Sequence, residues 1–115
     1  MLNSKAMLGL SSDAPCTPWA EPDSPFYSIY AAVTRKAANG DVVNANEAIT
    51  VPQAVLGYTR DGAKIGGFDD NGTLEAGKAA DFVILNKDIF TVPHNELQTV
   101  RVKETWMAGE KVFEN

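Results

Sequence analysis

The spacing of apolar and polar residues divides the chain into a short apolar start, two helical stretches and a β-rich end. Leu8-Gly9-Leu10-Ser11-Ser12-Asp13 reads as a short buried strand that ends in polar residues. Pro15, Pro18 and Pro22 then exclude regular structure between Ala14 and Ser24, since each proline lacks an amide donor and fixes its own φ. Ser24-Pro25 is a helix start, with serine as N-cap and proline at the first helical position. Phe26, Ile29, Tyr30 and Val33 follow at the spacing of one apolar helical face, which predicts a helix over Pro25–Lys36. Arg35 and Lys36 suit its C-terminal end, and Asn39-Gly40 stops it.

Asp41 to Ile49 is a polar linker with weak helical character. A second helix is predicted over Thr50–Ile65, because Thr50-Val51-Pro52-Gln53 has the spacing of a capping box. Val51, Ala54, Val55 and Tyr58 form its inner face; Gly57 and Gly62 weaken it, and Gly66-Gly67 ends it. Asp69-Asp70-Asn71-Gly72 is a turn. From Thr73 the pattern becomes β: a short strand, a tight reversal at Gly77, then Phe82-Val83-Ile84-Leu85 as a strand buried on both faces. Val100, Val102 and Trp106 alternate with Arg101 and Lys103, a strand with one wet face and Trp106 as a core anchor. Ala108-Gly109-Glu110 is a tight turn, and Lys111-Val112-Phe113 returns as the second arm of a hairpin. The fold class is α+β.

Composition narrows the function. The 115 residues amount to one domain, 44% hydrophobic and 22% charged, as in ordinary globular chains. Fifteen acidic against ten basic residues give a net charge of −5, the wrong sign for nucleic acid. No apolar run approaches the ~20 residues that span a bilayer, so no membrane partner is expected. The opening Met1–Lys5 and the apolar Ala6–Leu10 are too short and badly flanked for a signal peptide. A single cysteine, Cys16, suits a reducing compartment, and a cytoplasmic location is expected.

Candidate chemistry is sparse. Asp13 closes a buried strand, the place where α/β barrels put catalytic carboxylates, although strand ends also carry aspartate simply to cap a turn. Cys16 has no base near it in sequence and reads as an idle or packed thiol. His94 reads as an exposed loop histidine, with no cysteine or second histidine at ligand spacing. Asp69–Gly72 lacks calcium-loop spacing.

Four segments resemble the C-terminal end of metal-dependent amidohydrolases, in the branch called amidohydrolase family 3. Leu10-Ser11-Ser12-Asp13-Ala14-Pro15 is similar to the strand-8 motif that ends in the metal-site aspartate. Ile29-Tyr30-Ala31-Ala32-Val33-Thr34-Arg35 is similar to the helix that follows it. Gly72-Thr73-Leu74-Glu75-Ala76-Gly77-Lys78-Ala79-Ala80-Asp81-Phe82-Val83-Ile84-Leu85 resembles the specific G-x-L-x-x-G-K-x-A-D-[FL]-[VI] signature. Thr105–Val112 resembles the closing hairpin.

The resemblance implies the last βα unit of a (β/α)8 barrel over residues 1–70, with Leu8–Asp13 as the final barrel strand. Residues 71–115 would be the C-terminal half of a small β-sandwich built from both chain ends. It implies a hydrolase of non-peptide C–N bonds, amide or cyclic amide, using a divalent metal such as zinc. Asp13 would help hold the metal and move the proton of the attacking water to the leaving nitrogen. Family members add an H-x-H pair, further histidines and often a carboxylated lysine from earlier barrel strands. None of these is present, and a complete barrel takes ~250 residues. The chain alone is therefore expected to bind no metal and to hydrolyse nothing: a fragment, a truncated reading frame, or one piece of an enzyme whose remainder is elsewhere. Its expected partner is the remainder of the barrel. The alternative is a non-catalytic α+β domain that associates with itself.

Overall fold

The computed structural model describes residues 6–12 and 23–115. Among these the chain forms three α-helices and one three-stranded antiparallel sheet, an α+β arrangement. Helix α1 runs over Pro25–Thr34, with Ser24 in extended conformation as N-cap and proline in its first turn. Phe26, Ile29 and Val33 are buried along one face, as the spacing requires. The helix stops earlier than its basic end suggests. Arg35 adopts a left-handed conformation, φ 56°, and the chain turns into a hairpin. There Val43 N–H donates to Arg35 O at 2.8 Å and Ala37 N–H to Asp41 O at 2.8 Å, around Asn39-Gly40. The paired backbone of that hairpin competes with the last helical turn and takes Arg35 and Lys36 from it.

The polar linker carries a single 3-10 turn, Ala45–Glu47. Helix α2, Val51–Tyr58, then opens on the full capping box. Gln53 N–H donates to Thr50 Oγ1 at 3.3 Å, and Thr50 N–H donates to Gln53 Oε1 at 2.8 Å. Replacing Thr50 by alanine removes the acceptor and is expected to cost about 1 kcal/mol. Urea denaturation checks this, and an unchanged midpoint would mean that the box contributes nothing.

The expected single helix over Thr50–Ile65 is broken in two. Thr59, at φ −115° and ψ −97°, separates α2 from α3, Arg60–Gly66. Its hydroxyl donates back to Val55 O at 2.8 Å, and its own carbonyl accepts from Ala63 N–H at 2.8 Å to restart the helix. A β-branched residue whose hydroxyl competes for a helix carbonyl is a natural place for such a bend.

The sheet has the order β1-β2-β3, from Phe82–Leu85, Val102–Met107 and Glu110–Glu114. Phe82 faces Trp106 and Val83 faces Thr105; Thr105 in turn faces Phe113. The β2–β3 turn has positive φ at both central residues, 50° at Ala108 and 80° at Gly109, the sense that matches strand twist.

Two strand expectations are corrected. Leu8–Ser12, the described part of the expected strand Leu8–Asp13, is not a strand, and Leu8, Gly9 and Leu10 are half-buried rather than buried. A strand exists only beside another strand; here the Leu10 amide donates instead to Gly57 O of α2 at 3.0 Å. The segment before Gly77 forms no strand either. It is a turn closed by Lys78 N–H to Glu75 O at 3.1 Å.

Strand β1 is where expected, but it is not covered on both faces. Val83 is 50% exposed and Ile84 42%, because the described residues half-bury only the two ends of the strand, Phe82 against Trp106 and Leu85 against the core. Trp106 is half-buried and lies outside the core cluster, stacked on Phe82 with ring centroids 5.6 Å apart. The buried core instead joins the α1 face and Val51 and Ala54 of α2 to Ile89, Leu97 and Val100. Leu97 lies in a 3-10 turn, His94–Thr99, that packs on α1. Leu97 and Val100 are fully buried, each contributing roughly 1.5–3 kcal/mol relative to exposure. Val100 lies on the face that the alternation marks as buried, whereas Leu97, in a turn without periodicity, was missed in the sequence.

Candidate functional site

Two features of the described residues bear on function. The first is a latch built on the Gly72–Asp81 segment. The half-buried carboxylate of Asp81 accepts from Asn71 Nδ2 with one oxygen and from the Ala108 backbone N–H, at 2.8 Å, with the other. Ala79 N–H donates to Asp70 O at 2.9 Å and Gly109 N–H to Ala80 O at 3.1 Å. The loop after α3 and the β2–β3 turn are thus tied to the entry of β1 by one side chain and two backbone bonds. Gly72 sits at φ +86° against α3. A Cβ there would lie 2.7 Å from Ala63 Cβ, 3.0 Å from Thr59 O and 3.1 Å from Arg60 Cα. Sequence reading gave Asp81 no role beyond entry to the strand; the signal was its place in a G-x-L-x-x-G-K-x-A-D run. With both oxygens accepting hydrogen bonds, it fastens the turn to the strand entry.

The second feature is an open cleft of about 730 Å³ beside the latch. Leu10, Ser11 and the junction of α2 and α3 form one wall; the 71–74 loop and the start of β1 form the other. Two hydroxyls on its walls, Tyr58 Oη and Thr73 Oγ1, are buried with no hydrogen-bond partner among the described residues. Buried hydroxyls of this kind cost about 1–3 kcal/mol each when left unpaired. Phe68, Leu74 and Val83 bring exposed apolar surface to the same cleft.

Asp13 and Cys16 lie outside the described residues. His94 is exposed as expected, but it begins the 3-10 turn rather than lying in a loop. Among the described residues no group of three or more His, Cys, Asp or Glu side chains could hold a metal ion. Those residues therefore do not fit the divalent ion that the resemblance implies. At the surface, hydrogen bonding to Lys111 holds the Glu114 carboxyl below its ordinary range, and hydrogen bonding to Asp61 raises Arg60. Among the described residues no helix is long and apolar enough to cross a membrane.

The family model of the amidohydrolase family matches residues 1–113. The chain is 30% identical over 115 residues to an N-substituted formamide deformylase of Arthrobacter pascens, covering 99% of this chain and 20% of that protein. It is 34% identical over 107 residues to the putative amidohydrolase YtcJ of Bacillus subtilis (strain 168), covering 90% of this chain and 20% of that protein. No solved structure matches significantly. The chain thus spans about a fifth of the length of the curated relatives it matches. With the family model aligned to all but the last two residues, the chain belongs to the amidohydrolase family.

Proposed function

We propose that the chain is the C-terminal part of a metal-dependent hydrolase of non-peptide C–N bonds, and that it acts only together with the rest of a (β/α)8 barrel. The observation that carries this reading is the family match over residues 1–113 set against relatives that are far longer. In that assembly Leu8–Asp13 becomes the last barrel strand once a neighbouring strand is supplied. Residues 71–115 become half of a sandwich whose other half covers one of the two exposed faces of β1. The unpartnered hydroxyls of Tyr58 and Thr73 fit a surface made to be covered. Asp13 is the residue we assign to the active site. The remaining ligands of a divalent ion such as zinc would come from the rest of the barrel, and no hydrolytic step is assigned to the described residues. An amide substrate is favoured by the relative named as a formamide deformylase. The single cysteine favours the cytoplasm.

Co-expression with the preceding part of the Arthrobacter pascens relative tests the reading. The complex is expected to hydrolyse an N-substituted formamide in the presence of zinc, while neither piece does so alone and Asp13→Ala abolishes the activity. Turnover by the isolated chain, or a fully active Asp13→Ala complex, would overturn it.

The second reading is a self-associating, non-catalytic domain. It is favoured by the edge strand β1, four apolar residues with no charge or proline to blunt pairing. A dimer by light scattering that is lost on Val83→Lys would support it; a monomer at every concentration would exclude it.

A further inference from the structure

The chain contains two Asn-Gly pairs, and the structure treats them differently. Asn39-Gly40 forms the tip of the exposed hairpin after α1. Asn39 Nδ2 donates to Asp41 Oδ2 at 2.7 Å, its Oδ1 accepts from Asp41 N–H at 3.1 Å, and Gly40 N–H donates to Ala37 O at 2.9 Å. All three bonds lie within one exposed turn, and nothing approaches within 4 Å of where a Gly40 side chain would begin. Asn71-Gly72, in contrast, is half-buried. Asn71 donates to Asp81, Asp81 is also held by the Ala108 amide, and Gly72 is wedged against α3.

We propose that Asn39 is a site of spontaneous deamidation in the folded chain and that the Asp81 latch shields Asn71 from the same reaction. The Gly40 amide nitrogen loses its proton and attacks Asn39 Cγ. The bond from Cγ to the side-chain nitrogen breaks, ammonia leaves, and a cyclic imide closes. Water opens the imide at either carbonyl, giving aspartate or its isomer linked through the side-chain carbon. The balance is one amide and one water in, one carboxylate and one ammonium out.

Glycine matters because no side chain screens the attacking nitrogen. At Asn39 the required rearrangement opens three bonds of a surface turn, a local event of low cost. At Asn71 it must release Asp81 and disturb the packing of Gly72 on α3, so it is coupled to the opening of the sheet entry. The product at position 39 places a carboxylate where the amide now donates to Asp41. Like charges then replace a hydrogen bond, and the hairpin loosens.

The test is peptide mapping of the intact chain held at mildly alkaline pH, in native buffer and in urea. Trypsin places Asn39 in the peptide Ala37–Arg60 and Asn71 in Ile65–Lys78, and fragmentation separates Asn39 from Asn44 and Asn46. In native buffer the mass gain of amide-to-acid conversion is expected at Asn39 roughly tenfold or more faster than at Asn71. In urea the two rates converge. An Asn39→Gln variant loses the early acidic species on ion exchange. Equal native rates, a faster Asn71, or an Asn39 that converts in urea but not in native buffer would each overturn the proposal.

Discussion

Replacing Gly72 by alanine is expected to destabilise the chain by about 3 kcal/mol, the sum of a left-handed backbone penalty and overpacking. The φ of +86° places a β-carbon in a strained region, and that carbon meets Ala63 Cβ at 2.7 Å and two backbone atoms of the α2–α3 junction. Backbone cannot move aside as the end of a flexible side chain can. Gly77 provides the internal control. It has a similar φ of +93° but nothing within 4 Å, so Gly77→Ala carries only the conformational part, about 1 kcal/mol. Parallel urea denaturation of the two variants measures the difference. Equal losses would show that the contact with α3 yields without cost and that only φ matters at Gly72.

The second large effect is expected at Asp81. Alanine there removes the acceptor of both the Asn71 amide and the Ala108 N–H, and a loss of about 2 kcal/mol is expected for hydrogen bonds to a charged group. Asparagine keeps one oxygen for Ala108, and a rotated Asn71 amide can then accept from its new NH2, so Asp81→Asn loses less. A melt of Asp81→Ala that coincides with that of the parent chain would mean that water replaces both partners at no net cost.

The legible parts of the fold are those whose physics is local. Ser24-Pro25 and Thr50-x-x-Gln53 mark helix starts because a cap needs only residues within one turn of it. Gly67 ends α3 for a similarly local reason, its left-handed backbone. Parts that depend on distant partners were read less well. Leu8-Gly9-Leu10 has the composition of a strand, yet strand formation requires a neighbour that the described residues do not provide. Phe82–Leu85 has the composition of a doubly covered strand, and its middle residues Val83 and Ile84 are exposed for the same reason. Arg35 looked helical until the hairpin that claims it closed eight residues later.

The candidate site divides along the same line. Asp13 was named from its position at a strand end and from its resemblance to a motif, and it lies outside the described residues. The cleft was invisible in the sequence, since Tyr58 and Thr73 are fifteen residues apart and only folding makes them neighbours of one space. Asp81 was visible as part of a signature, but nothing in its local pattern said that it reaches Ala108, 27 positions away.

The two edges of the sheet are unlike. Strand β3 presents Glu110, Lys111 and Glu114 at one side, whereas β1 presents only Phe82, Val83, Ile84 and Leu85 at the other. A sheet guarded on one side can be extended only from the other. Two copies that meet through β1 would consume each other's open side and leave charged borders at both ends, so assembly by this route has a stopping point. The same asymmetry gives the strand a single vacancy, and a covering strand from an enzyme's remainder and a second copy of this chain would compete for it.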